Sequence, residues 1–318
     1  MFLLKKYLII YTFMMNQKFN VATLVISSST YPSERNVRAQ KKIFFNQELS
    51  GEHIYWYKQG SSEQLNGERY KLINNDLYLD VPDDTLNMGR KTLLAFEWLN
   101  KNVDYDYVVR PTPSSYINFK NLHEYILNNY IDKEVVYGGK IQQTNDKHGS
   151  PISFASGSSL ILNKNCVDLI LENQDSWDHD YWDDVGLAVL LNELDIKPIG
   201  GDRFDIHGNP YKQQIDLGYY QYRCRSDNHY GYPRLIESHV LKYIHNLCSS
   251  KKKHIVIRKI RSLIIEFLGF IYIYQFGWKI YSFLRKITKL ILPKSIYKYL
   301  KNKLFLRISS FKHKRFKT

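Results

Sequence analysis

Short apolar runs that alternate with amphipathic helical segments constrain the fold of this chain more than any other feature. The first run, Val21–Ile26, is rich in β-branched residues and ends in a Ser/Thr loop, and a helical pattern follows at residues 35–45. The alternation continues to residue 138. It predicts an α/β fold with a mostly parallel central sheet, helices on both faces, and a ligand crevice beyond the carboxyl ends of the strands.

The elements after the first helix follow from the same periodicities. Strands are expected at residues 54–57, 70–73, 77–79, 105–109 and 135–138, and helices at residues 85–100 and 119–128. The glycine signatures of dinucleotide-binding and P-loop proteins are absent from the sequence, as is the Gly-x-Ser-x-Gly elbow of serine hydrolases. Cys166, Cys224 and Cys248 are too few and too dispersed for a disulfide framework or a four-ligand zinc site, which favours reduced thiols.

Positive charge is concentrated at the end of the chain. The formal net charge is +14, but residues 251–318 contain 19 Lys and Arg and one acid, so that residues 1–250 carry a net charge of −4. A mildly acidic body with a basic tail is typical of a domain held against an anionic surface. It argues against nucleic acid as a partner, because the body offers no second basic groove.

Apolar residues recur at helical spacing in this tail. They run from Leu263 to Leu284 between flanking Lys and Arg residues, and a shorter helix is expected after Pro293. The longest uncharged run of the tail, residues 267–278, is shorter than the ~20 residues that span a bilayer. The pattern predicts basic amphipathic helices that lie on an anionic membrane, with a helix docked on the body as the alternative.

The first residues give no signal about the fold. Lys5 and Lys6 precede an apolar stretch that resembles the start of a signal peptide but lacks a small-residue cleavage site. Translation from Met14 or Met15 is an alternative start, so residues 1–15 are left out of the fold prediction. We expect an uncertain extension at residues 1–18, an α/β domain at residues 19–250 and membrane-associating helices at residues 251–318.

Several segments, in a fixed order, carry a family resemblance. They are LYLDVPDDTLNMGRKT at residues 77–92, YDYVVR at 105–110, YIN at 116–118, SGSSLILN at 156–163 and WDDVGLAVLLN at 182–192. Over about residues 20–210 the chain resembles the β-1,3-galactosyltransferase and Fringe superfamily of GT-A glycosyltransferases. The resemblance implies a GT-A-like, Rossmann-like domain that transfers a sugar from a UDP-sugar.

The sequence departs from this family where the metal would bind. The family carries aspartates after the central strand that hold Mn²⁺ under the diphosphate, and the matching positions here are Thr112, Pro113 and Ser114. Uncharged side chains are poor ligands for a hard divalent cation. We therefore expect no metal ligands and no tightly bound cofactor, and Mn²⁺ or Mg²⁺ dependence is doubtful.

Arginines are the expected substitutes for the metal. Arg110 ends the same strand and is predicted to clamp the diphosphate and to offset charge on the leaving group; its alternative role is a simple pairing with Asp104 or Asp106. A second supply of positive charge is expected from Arg223 and Arg225, unless these are structural.

Asp184 matches the general base of the family, and Asp183 stands beside it. The resemblance implies that Asp184 takes the proton of the acceptor hydroxyl as that oxygen attacks the anomeric carbon, which inverts its configuration. A like-charged neighbour raises the pKa of such a carboxylate toward neutrality. Alternatively, both acids cap the helix that they begin.

The remaining site residues are also carried over from the resemblance. Donor binding is expected from Thr112 and Ser114 and from a group at the base, ribose and phosphate positions: Ser28, Ser29, Thr30, Arg35, Arg38, Asp80 and His207. Loop hydroxyls and helix-start arginines are also ordinary surface residues, and His207 is equally a structural histidine. Trp182, Gly157 and Ser158 are expected on the acceptor side, where an aromatic face suits a sugar ring and glycine allows close approach.

These observations predict an inverting, metal-independent glycosyltransferase at the inner face of a cell membrane, acting on a polysaccharide or lipid-linked acceptor. The composition, rich in Lys, Asn, Ile and Tyr, indicates an AT-rich, bacterial genome and hence capsule or lipopolysaccharide assembly. Two alternatives stay open. One is a non-catalytic glycan- or membrane-binding relative, and the other is a retaining transferase, because fold does not fix stereochemistry.

Overall fold

The computed structural model describes residues 19–30, 32–47, 52–206, 209–225 and 234–249. The predicted N-terminal extension, His207 and the basic tail lie outside these residues, so the predictions made for them stay predictions. None of the helices in the described ranges is long and apolar enough to cross a membrane.

Strands and helices alternate through the described residues. The strands are β1 (Val21–Ile26), β2 (Glu52–Gln59), β3 (Tyr70–Ile73), β4 (Asp76–Leu79), β5 (Tyr107–Pro111), β6 (Ser115–Ile117), β7 (Tyr137–Gly139), β8 (Ile141–Asn145), β9 (Pro151–Ala155), β10 (Ser159–Asn163), β11 (Ile199–Gly200), β12 (Arg203–Asp205) and β13 (Gln221–Arg223). The α-helices are α1 (Ser33–Phe44), α2 (Ser62–Leu65), α3 (Met88–Asn102), α4 (Phe119–Asn129), α5 (Lys164–Glu172), α6 (Asp183–Glu193) and α7 (Glu237–Cys248).

The central sheet has eight strands in the order β11-β7-β10-β5-β1-β2-β4-β3. Strands β1, β2, β4, β5, β7 and β11 run in one direction, and β3 and β10 run in the other. The predicted α/β class with a mostly parallel sheet is therefore confirmed. Strand β10 was not predicted from the sequence, and its reversed direction has no local signal, because hydrophobic periodicity carries no information about the direction of a strand.

Helices cover both faces of the sheet. Along β1, Val21 and Val25 belong to one buried cluster, and Ala22 and Leu24 belong to the other, as the period of two of a strand requires. Helices α1, α4 and α7 contribute to the first cluster, and α3, α5 and α6 contribute to the second. Burial of the strands on both sides explains why they read as continuous apolar runs.

Two smaller sheets complete the described structure. Strands β12, β13 and β6 form one, and β8 and β9 form an antiparallel hairpin. None of these five strands, nor β11, is among the strands expected from the sequence. The helix expected at residues 85–100 begins three residues later, because Asp84 Oδ1 accepts hydrogen bonds from the backbone and side-chain amides of Asn87 at 2.9 and 3.0 Å and closes a turn there.

Candidate active site

The candidate site lies at the carboxyl edge of the central sheet. Strand β1 ends just before Ser28, β4 ends before Asp80 and β5 ends just after Arg110. Strand β10 runs in the opposite direction, so it begins at this same edge, just after Gly157 and Ser158. This arrangement explains how residues far apart in the sequence come to share one edge, the usual ligand position in open α/β sheets.

Arg110 is buried at this edge, with 2% of its surface exposed. Its Nε donates to the Tyr57 hydroxyl at 2.7 Å, its Nη1 donates to the Gly157 carbonyl at 2.8 Å, and its Nη2 donates to the Asp183 carboxylate. The structure thus corrects the alternative pairing with Asp104 or Asp106. Burial works against the charged guanidinium, but Asp183 and the Tyr57 hydroxyl outweigh it and raise the pKa of Arg110.

Asp184 occupies a different environment from its neighbour. Its Oδ2 accepts a hydrogen bond from the Gly157 amide at 2.9 Å, and its side chain is half-buried, whereas Asp183 is buried against Arg110. Burial and then the charge of Asp183 raise the pKa of Asp184, and the Gly157 amide and Arg110 oppose that rise. The direction is the one expected for a general base, and the greater exposure of Asp184 leaves it as the more accessible carboxylate.

Gly157 brings the two charged groups together. A Cβ atom at this position would lie 3.0 Å from Arg110 Nη1 and 3.2 Å from Asp184 Cβ, closer than side chains normally pack. The predicted close approach at Gly157 is therefore an approach of Arg110 and Asp184 to the backbone. The Gly157 carbonyl accepts a hydrogen bond from Arg110, and the Gly157 amide donates one to Asp184.

The helix-capping alternative for the two acids receives limited support. Asp183 and Asp184 lie in the first turn of α6, where the helix dipole favours negative charge. The residue at the N-cap position is Trp182, whose side chain makes no capping hydrogen bond. The carboxylates themselves bond to Arg110 and to Gly157, which belong to other elements. Trp182 is 69% exposed, so its ring is available for contact with a ligand.

The segment at residues 112–114 carries two hydroxyl side chains and a proline. Thr112 Oγ1 lies 3.3 Å from Ser114 Oγ and 3.2 Å from Ser115 Oγ, and Ser114 is buried. Across the described ranges, which omit His207, no group of three or more His, Cys, Asp or Glu side chains is placed to hold a metal ion. The 112–114 segment itself therefore offers hydroxyl oxygens and no carboxylate to a divalent cation.

Strand β13 brings one of the predicted arginines beside this segment. Strand β13 pairs with β6, with Arg223 opposite Ser115, and the Cys224 amide donates to the Ser114 carbonyl at 2.7 Å. Arg223 is half-buried and Arg225 is exposed. The structure thus places the backbone of Arg223 beside Ser115, and Arg225 follows two residues later.

Other predicted residues have partners of their own. Ser158 is buried, and its hydroxyl accepts from Arg203 Nη1 at 2.6 Å. Arg35 Nη2 lies 3.0 Å from His239 Nε2, and the exposed Arg38 donates to Glu34 one turn away at 3.0 Å. Asp80 is exposed and lines a cleft of about 290 Å³ together with Arg69, Arg90 and Glu97.

Sequence reasoning missed three residues at this edge. Lys91 and Asp83 form a buried ion pair of 2.8 Å, and the Tyr57 hydroxyl accepts a hydrogen bond from Arg110 Nε. The Tyr57 hydroxyl in turn lies 3.1 Å from Thr92 Oγ1, and the Thr92 hydroxyl donates to the Met88 carbonyl. These hydrogen bonds connect Arg110 to helix α3. The only signal for Lys91 in the sequence is its position on the apolar face of a predicted helix.

No protein-family model and no curated protein matches this sequence. Among solved structures, the chain is similar to a glycosyltransferase involved in the glycosylation of the major capsid of PBCV-1, with 10% identity, a TM-score of 0.43, and coverage of 70% of this chain and 99% of that chain. It is similar to the galactosyltransferase LgtC in complex with donor and acceptor sugar analogs, with 10% identity, a TM-score of 0.37, and coverage of 75% and 99%.

A third similar structure is 4-diphosphocytidyl-2C-methyl-D-erythritolsynthase from Anaerococcus prevotii, with 10% identity, a TM-score of 0.34, and coverage of 58% of this chain and 90% of that chain. Likeness at these values does not assign an activity to this chain. The activity proposed below is argued from the contacts at the carboxyl edge of the sheet.

Proposed function

We propose that this protein is an inverting, GT-A-like glycosyltransferase that moves a hexosyl or N-acetylhexosaminyl group from a UDP-sugar to a polysaccharide or lipid-linked glycan. The observation that carries the proposal is the pair of adjacent carboxylates in unlike environments. Asp183 is buried and paired with Arg110, whereas Asp184 is half-buried, with a raised pKa. A carboxylate with a raised pKa beside a specific charged partner is typical of acid/base sites.

In the proposed reaction an acceptor hydroxyl attacks the anomeric carbon from the side opposite the diphosphate. The new bond joins the acceptor oxygen to the anomeric carbon, and the bond from that carbon to the diphosphate oxygen breaks. Asp184 takes the hydroxyl proton, and the nucleoside diphosphate leaves with the bonding electrons. Trp182, exposed beside the two acids, provides a ring face for the acceptor sugar.

Arg110 serves this reaction indirectly in our proposal. The Arg110 guanidinium donates to Tyr57, Gly157 and Asp183, so it holds the Asp183 carboxylate and the Gly157 carbonyl in place. Compensation of the diphosphate charge is assigned to Arg223, which lies opposite Ser115 in the paired strands, and to Arg225 two residues later.

The proposed function is tested by incubating the protein with a panel of UDP-sugars and oligosaccharide acceptors. Mass spectrometry is expected to show an acceptor heavier by one sugar together with released UDP. Tight UDP binding in calorimetry without any product across the panel would favour the non-catalytic relative instead.

Activity is expected to survive treatment with EDTA. The hydroxyl segment at Thr112 and Ser114 offers no carboxylate to a divalent cation, so removal of free metal should leave turnover within about twofold of the untreated enzyme. The measurement is the rate of UDP release before and after dialysis against EDTA, with Mn²⁺ added back as the control. An enzyme that EDTA silences and Mn²⁺ restores would contradict metal independence.

The membrane role of residues 251–318 motivates the lipid-linked acceptor and the location at the inner face of a bacterial membrane. The full chain should sediment with anionic vesicles at low salt, because its tail carries 19 basic residues among apolar ones. A chain ending at residue 249 should stay in the supernatant. High salt should weaken the binding of the full chain, since exposed charges are screened. Equal sedimentation of both chains would show that the tail is not the membrane-binding part.

A further inference from the structure

One buried ion pair holds both sides of the loop that follows β1. Lys91 Nζ donates to the Ser27 carbonyl at 3.0 Å and to Asp83 Oδ1 at 2.8 Å. Asp83 Oδ2 accepts from the Ser29 amide at 3.3 Å, and its Oδ1 accepts from the Gln59 amide at 2.9 Å. Lys91 thus fixes the Ser27 carbonyl, and Asp83 fixes the Ser29 amide, on the two sides of Ser28.

The pair is an unusual way to stabilise a fold. The Lys91 and Asp83 side chains are only 3% and 10% exposed. Burial of two charges costs desolvation energy that their attraction only partly recovers, and apolar residues of similar size are often as stabilising. Stability alone therefore does not account for this pair, whereas its backbone contacts fix a loop conformation that apolar side chains would leave free.

The loop held in this way presents polar groups at the carboxyl edge. Ser29 and Thr30 are exposed, and Ser28 Oγ lies 2.9 Å from Thr30 Oγ1. We propose that Lys91 and Asp83 are positioning residues that preorganise residues 28–30 to receive the nucleotide of the donor. This inference rests on the proposed function, and it assigns donor affinity to two residues that do not touch the donor. Preorganisation increases affinity because fewer groups must be ordered when the ligand binds.

The test is the affinity for UDP, measured by calorimetry. Lys91→Met leaves Asp83 buried without its partner and will lower stability, so the decisive variant is Lys91→Met/Asp83→Leu, which removes both charges. We expect this double variant to melt near the wild-type temperature and to bind UDP about tenfold or more weakly. Its kcat at saturating donor should stay near the wild-type value, because the acid pair is untouched.

Lys41→Met is the matched control. Lys41 and Asp76 form an ion pair of 2.7 Å at the start of β4, the opposite edge of the sheet. This variant should bind UDP with wild-type affinity. A double variant that binds UDP as tightly as the wild type would overturn the positioning role alone. A wild-type protein that binds no UDP would overturn the proposed function, and the positioning role with it.

Discussion

Asp184→Asn is expected to lower turnover by about 10²–10⁴-fold, the usual contribution of a general base. Asparagine keeps the shape of the side chain and an oxygen that accepts from the Gly157 amide, which lies 2.9 Å from Asp184 Oδ2. It removes the group that takes the acceptor proton. UDP affinity should therefore change little, and steady-state kinetics at saturating donor and acceptor measure the loss.

The pH dependence provides a second readout of Asp184. Burial and the charge of Asp183 raise the pKa of Asp184 in the folded protein. The ionised carboxylate therefore lowers the free energy of unfolding, and this loss is absent at low pH and complete once the pH exceeds the folded-state pKa. The wild type should lose kcat/KM as the pH falls through that raised pKa. At neutral pH the free energy of unfolding of Asp184→Asn should equal or exceed that of the wild type. At low pH, where Asp184 is protonated, the two free energies should be the same. An unchanged turnover per folded molecule would remove Asp184 from the mechanism.

Arg110→Met is expected to lower the free energy of unfolding by ~3–5 kcal/mol, because it leaves the buried Asp183 carboxylate without its partner. From the sequence alone, this arginine predicts a loss of turnover by ~10²-fold through weaker leaving-group stabilisation. The hydrogen bonds to Tyr57, Gly157 and Asp183 replace that expectation with a loss of stability, because all three bind Arg110 to protein groups. Urea denaturation measures it.

Asp183→Asn should destabilise in the same way, since it leaves Arg110 uncompensated. The double variant Arg110→Met/Asp183→Leu removes both charges and should recover most of the stability. If Arg110→Met unfolds at the wild-type urea concentration, the ion pair does not hold this edge together.

Much of the architecture could be predicted because it depends on local patterns. The apolar run of β1 and the periodicity of α3 mark their elements without knowledge of their neighbours. The place of Arg110 at the carboxyl edge also follows once β5 is identified as a parallel strand, whereas the place of Gly157 depends on the reversed direction of β10. The pairing of Arg110 with Asp183, 73 residues away, depends on the tertiary packing of α6 against the edge and has no local signal.

Lys91 and Asp83 illustrate a different limit. A lysine in an amphipathic helix is usually solvated, and only the three-dimensional structure shows that Lys91 is buried and that its nearest acceptors are Asp83 and the Ser27 carbonyl. Ser158 is the converse case. Its position in a motif suggests an acceptor contact, but its hydroxyl is occupied by Arg203. Partners of buried polar groups are set by the whole fold, so a motif alone does not identify them.

The central claim is inverting sugar transfer with Asp184 as the base, and it is tested most directly by the stereochemistry of the product. The wild type and Asp184→Asn are incubated with the UDP-sugar that the panel identifies, and NMR follows the anomeric proton of the transferred sugar. We expect a wild-type product with the anomeric configuration opposite to that of the donor and almost no product from Asp184→Asn. A product that retains the donor's configuration, or equal product from both proteins, would contradict the proposed mechanism.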